Sequence, residues 1–97
     1  MPKGEAIVSA IAALIQLEQE LAQHFPMYGF ECVESPVADI FIVRRPNHTT
    51  LAELHHTYRT QDWTLRSWTP RKWRSVKVRQ SKFESFSEAK ARLLKLL

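Results

Sequence analysis

Four histidines, one cysteine and ten acidic residues are the side chains of this 97-residue chain that could hold a metal or do acid–base work, and their spacing does not support either. His55 and His56 are adjacent, so on a helix they would point about 100° apart, and neither has a Cys, Asp or His three or four positions on. His24 and His48 stand alone. Asp39 heads an apolar run, a position where metal-dependent nucleases place a carboxylate, but that chemistry also needs a Glu-x-Lys on a neighbouring strand, and none falls there. Gly4 and Gly29 are the only glycines, which excludes a glycine-rich phosphate loop, and no Ser or Cys stands in a nucleophile motif. Cys32 sits in an apolar stretch and reads as a small buried thiol with no disulfide partner. These residues predict a non-enzymatic protein that needs no cofactor and no metal.

Another set of side chains has a clear physical use. From Arg66 to Lys82 the chain carries seven basic residues and no acidic one, with Trp68 and Trp73 among them. Arg and Lys neutralise phosphates and release counterions, while indole rings stack on bases or cover sugars. The candidate nucleic-acid-binding residues are therefore Arg66, Trp68, Arg71, Lys72, Trp73, Lys77 and Arg79. Such a pair of tryptophans also has a structural use, because cross-strand aromatics stabilise a hairpin by roughly 0.5 to 1.5 kcal/mol beyond area burial.

The elements that would position this set can be read from periodicity. Ile7, Ile11, Leu14, Leu21 and Phe25 recur at helical spacing, predicting a first helix over 5–24 that ends before Pro26. Val8, Ala12 and Ile15 widen its apolar stripe enough to permit either deep burial within the monomer, the preferred reading, or a helix contributed to a homodimer. Tyr28, Phe30 and Cys32 alternate with polar neighbours, Ser35-Pro36 supplies a turn, and residues 40–43 are apolar on both faces, which predicts two strands. Thr50 and Glu53 form a capping box before Leu51, Leu54, His55 and Tyr58, predicting a middle helix over 51–59. A second hairpin over 62–80 turns at Thr69-Pro70-Arg71-Lys72. Its core face would hold Trp63, Leu65, Val76 and Val78, leaving Arg66, Trp68, Trp73, Lys77 and Arg79 together on the outer face. Ser85 or Ser87 caps a last helix running to Leu97, with Ser85 and Glu88 spaced as a capping box.

The expected order is α-β-β-α-β-β-α, a single small α+β domain over 1–97. The N- and C-terminal helices should cover one face of a mainly antiparallel sheet, because Phe30, Ile42, Trp63, Leu65, Val76 and Val78 need such a cover. Apolar and charged fractions of 44% and 25% are those of a folded protein throughout. The apolar stretch 6–17 is short of the roughly 18 residues of a spanning helix. No membrane association and a cytoplasmic location are expected. Net charge is +4 but uneven: residues 1–48 hold three basic and six acidic side chains, and residues 49–97 hold eleven and four. A polyanion is the natural partner of the second half.

The stretch 62–97, with "DWTLRSW" and then "RKWRSVKVRQSKFESFSEAKARLL", resembles the small AP2-like and integrase-arm DNA-binding modules. In these a sheet bearing aromatics and arginines precedes a helix that opens F-x-S/T-x-x-E-A. The resemblance implies that the sheet face meets DNA through Arg66, Trp68, Trp73, Lys77 and Arg79. The ending "SEAKARLLKLL" is also similar to double-stranded RNA-binding domains. The expected function is nucleic-acid binding, DNA before RNA, by the basic Trp hairpin. The alternative is a small adaptor or regulatory protein acting through protein contacts or homodimerisation by its first helix.

Overall fold

A computed structural model describes the backbone of residues 2–70 and 76–97, and the side chains of 10–70 and 76–97. Helix α1 (Pro2–His24) is followed by strands β1 (Gly29–Glu34), β2 (Ala38–Arg44), β3 (Thr50–Thr57), β4 (Trp63–Pro70) and β5 (Val76–Phe83), and the chain closes with helix α2 (Phe86–Leu94). The five strands form one antiparallel sheet whose spatial order is their chain order. Both helices pack on the same face of it, which gives the α+β layout expected from the sequence. Among the described residues no helix is long and apolar enough to cross a membrane.

Ala10, Leu14, Leu17 and Leu21 recur at steps of four, three and four and form the buried stripe of α1. Ile15, on the other side, is exposed, and Ile11 is half-buried. The stripe belongs to one core with Phe41 and Val43 of β2, Ala52 and Leu54 of β3, and Trp63 and Leu65 of β4, all buried. Helix α2 adds Ala89 and Leu93 to the same core. Its first turn is capped as expected: Ser85 Oγ accepts from the Glu88 amide at 3.2 Å. Lys90 of α2 reaches Glu20 of α1 at 3.1 Å, and the Tyr28 hydroxyl donates to the Leu97 carbonyl oxygen at 3.3 Å, so the two helices are tied at their C-terminal ends.

Two expectations are corrected. Residues 51–59 do not form a helix; β3 spans Thr50–Thr57 and is hydrogen-bonded to β2 on one side and β4 on the other. The same residues satisfy two periods. Leu51, Leu54, His55 and Tyr58 fit a helix, but Ala52, Leu54 and His56 alternate as a buried strand face, and that is the set the fold uses. A capping box stabilises by roughly 1 kcal/mol, which cannot compete with two ladders and a central place in the core. The observed order is thus α-β-β-β-β-β-α.

The second correction concerns the last hairpin. Trp63 pairs with Phe83, Leu65 with Ser81 and Ser67 with Arg79, so odd-numbered residues face odd-numbered ones. Val76 and Val78 therefore stand opposite Pro70 and Trp68 on the face away from the helices, 56% and 53% exposed, instead of in the core. The cause is parity. Thr69 and Pro70 still belong to β4, the connection is 71–75, and its five residues reverse the face that an even-numbered turn would give. Ile42 likewise lies half-buried on the uncovered face, in register with Glu31 and Glu53, and has no helix over it.

Candidate nucleic-acid interface

The face of the sheet away from the helices is organised in rows across the strands. One row runs Glu31, Ile42, Glu53, Arg66, Gln80, and the next runs Val33, Ile40, His55, Thr64, Lys82. Arg66 donates through Nε and Nη2 to the Gln80 side-chain oxygen, at 3.2 and 3.0 Å, which aims its guanidinium across β5. Glu53 is its register neighbour on β3 and is engaged by His55 Nε2 at 2.9 Å. Arg44 is held by Glu31 at 2.6 Å. The middle of this face therefore carries both signs of charge, and its net basic character grows towards β5.

Trp68, half-buried, lies on this same uncovered face next to Val78. Its carbonyl accepts from Arg45 Nη2, while Arg45 Nη1 donates to the Thr50 carbonyl at 2.9 Å. The β3–β4 ladder ends at Ala52 and Ser67. Arg45 thus clamps the two strands where their own pairing stops, and so holds the base of the hairpin that carries Trp68. Sequence reasoning missed this residue, since a loop arginine gives no periodic signal. Its loop is ordered by Asn47, whose side-chain oxygen accepts from the Thr49 amide (3.1 Å) and hydroxyl (2.6 Å), beside His48 at φ 70°.

Lys77 and Arg79 do not share a face with Arg66 and Trp68. They pair with Thr69 and Ser67 and lie on the helix side of the sheet, beyond the end of the apolar core. The expected single basic face is thus two: Arg66, Trp68 and Lys82 on one side of the β4–β5 ribbon, Lys77 and Arg79 on the other. Arg71, Lys72 and Trp73 lie outside the described residues. Lys82 is the one cation of the described ribbon that meets a carboxylate, Asp62 at 3.6 Å.

A separate polar cluster occupies the far end of the core. Asp39 and His56, cross-strand partners on the helix side, are both buried. The Tyr58 hydroxyl donates to Asp39 Oδ1 at 2.6 Å. That hydrogen bond, aided by burial and by the carboxylate's charge, pushes the phenol up to about 12. The His56 ring lies 4.4 Å from the Trp63 ring, which in turn lies 5.0 Å from Phe86. His56 is 5% exposed, and its Nδ1 has no hydrogen-bond partner among the described residues. Cys32 is neutral, its thiol pushed up to about 11 by burial and by Glu18, Asp39 and Glu31. No group of three His, Cys, Asp or Glu among the described residues is placed to hold a metal ion.

The chain matches no family model, no curated protein and no solved structure. The residues themselves must carry the functional reading.

The His56 environment has a measurable outcome. Burial lowers its pKa below 6.5, against the opposing pull of Asp39 and Asp62. The unfolded chain then binds the proton more readily than the fold does, so stability falls as pH drops below about 6.5 towards the folded pKa. Chemical denaturation at about pH 7.5 and pH 5 should show a loss for the parent that is smaller in a His56→Leu variant. An equal loss in both would assign the acid sensitivity to other groups.

Proposed function

We propose that this chain is a small nucleic-acid-binding domain whose reading element is the β4–β5 ribbon. The observation that carries this is charge and place together: over its described residues the ribbon holds Arg66, Lys77, Arg79 and Lys82 and no carboxylate, and its Trp68 lies on a face that no helix covers. The division of cations between two faces changes how binding would work. A flat basic surface would lie on the backbone, whereas a two-stranded ribbon with cations on both sides suits a groove bounded by phosphates, such as the major groove of duplex DNA. The resemblance of 62–97 to AP2-like and integrase-arm modules points to the same ligand, although this stretch forms two strands before its helix where those modules usually have three.

The test is titration with duplex and single-stranded oligonucleotides at low salt, following indole fluorescence. Binding should quench it, and Trp68→Ala should weaken a single-stranded complex by about 1 to 3 kcal/mol with little change in salt dependence, because stacking contributes no released counterion. A parent protein that binds neither ligand at roughly 50 mM salt would refute the reading.

A second reading has its own observation. Val76 and Val78 lie beside Trp68 with more than half their surface in water, while Ile40 and Ile42 are half-buried on the same face but two strands away, beyond Glu53 and Arg66. Exposed apolar side chains grouped at the β4–β5 edge suit an adaptor that docks a partner or a second copy there. Sedimentation at two concentrations separates them: a dimer that Val78→Asp dissolves, in a chain that ignores oligonucleotides, puts the adaptor first.

A further inference from the structure

The helix-side stripe of the last hairpin changes character along its length. It begins with the Trp63–Phe83 pair in the core, passes through Leu65–Ser81 and reaches Ser67–Arg79. Ser67 is only 7% exposed, an inner-face position level with the buried Ala52 of β3. Two small hydroxyl residues there, in place of branched apolar ones, leave the space between the sheet and α2 unfilled. The result is a crevice of about 50 Å³ lined by Leu65, Ser67, Arg79, Ser81, Arg92 and Leu96.

We infer that this crevice is a binding site for a phosphate-type oxyanion. Every polar side chain in its lining can donate a hydrogen bond, and none is a carboxylate. Among the described residues, Arg44, Lys82 and Lys90 have carboxylate partners, but Arg79 and Arg92 have none. Two guanidiniums on one small crevice repel each other, and an anion between them removes that repulsion while accepting from both forks. Ser67 and Ser81 offer hydroxyl donors from the crevice wall. A planar carboxylate has two oxygens to share among four donor groups; a tetrahedral oxyanion presents oxygens in four directions. Since a single water occupies roughly 10 to 15 Å³ on this measure, the space takes about three to five waters or one such ion. Arg92 stands in the last turn of α2, where helix carbonyls disfavour an anion, so the attraction must come from the guanidiniums.

The site is argued independently of the nucleic-acid reading: the phosphate can belong to a backbone or be free. Inorganic phosphate titrated into the whole chain, followed by amide resonances, should give saturable shifts concentrated at Ser67, Ser81 and Arg92. Arg92→Gln and Arg79→Gln should each weaken binding on the order of tenfold, the effect of losing a charged hydrogen-bonding partner, with unchanged melting temperature because both side chains are exposed. Adding a duplex or single-stranded oligonucleotide then separates the sources. Displacement of phosphate identifies a backbone phosphate as the occupant, and continued phosphate binding without oligonucleotide binding identifies a free one, leaving the site intact while the ribbon reading fails. If oligonucleotide binds and Arg92→Gln changes neither it nor the phosphate shifts, the ribbon reading stands and the crevice is not a site. Shifts that spread over all cations without saturating would also overturn it.

Discussion

Trp63→Ala should destabilise the fold by about 3 to 5 kcal/mol, the range for removing a buried large aromatic, read as a lower denaturation midpoint at unchanged slope. Trp63 is buried and sits between the His56 ring and Phe86, the first residue of α2. Its loss opens a cavity where β3, β4 and α2 meet. It also exposes the imidazole whose neutral form that packing favours, so the acid sensitivity assigned to His56 should shrink in the same variant. A domain of this size has roughly 5 to 15 kcal/mol of stability in total, so the variant lies near the limit of folding. A loss under 1 kcal/mol would show that α2 is not docked on Trp63.

Nucleic-acid affinity should fall about 20- to 40-fold between 50 and 200 mM salt if Arg66, Lys77 and Arg79 each displace one counterion, the lower figure for a single strand and the higher for a duplex. These three are the ribbon cations that no carboxylate engages among the described residues. Replacing any one by Gln should flatten the logarithmic slope by roughly one contact and weaken all sequences alike, because phosphate contacts carry little sequence information. Since Lys77 and Arg79 face away from Arg66, a ligand lying on one face of the sheet would lose slope with Arg66 but not with the other two. A ribbon seated in a groove would lose it with all three. An affinity indifferent to salt would end the ribbon reading.

Much of the fold was legible from residues alone. Leu14 and Leu21, a serine cap before α2, the burial of Leu93, and the cover of one sheet face by both helices follow from periodicity and capping. The middle strand did not follow, because Thr50–Thr57 encodes both a capped helix and an alternating strand, and the choice is made by β2 and β4, which lie far from it in sequence. The candidate interface failed at a subtler point. Alternation gave the right partition within β4, with Trp63 and Leu65 inward and Arg66 and Trp68 outward, but the partition within β5 depends on the parity of the connection. One residue more or less in 71–75 exchanges Val76 and Val78 for Lys77 and Arg79. Arg45 and Arg92 gave no signal, since their roles depend on carbonyls and side chains brought together only by the fold.

The sheet order β1-β2-β3-β4-β5 has a consequence for assembly. Each strand pairs with its neighbour in the chain, across connections of three residues (35–37) or five (45–49, 58–62 and 71–75). Loop-closure entropy grows only with the logarithm of length, and short closures are the fastest. The sheet can therefore zip hairpin by hairpin with no distant search. The distant encounters join the two ends of the chain, as between Tyr28, in the turn after α1, and Leu97 beyond α2, 69 positions apart. For this topology contact order is low within the sheet, and the encounters between the two ends of the chain belong to the layer that covers it, so strand pairing can precede the meeting of the two helices.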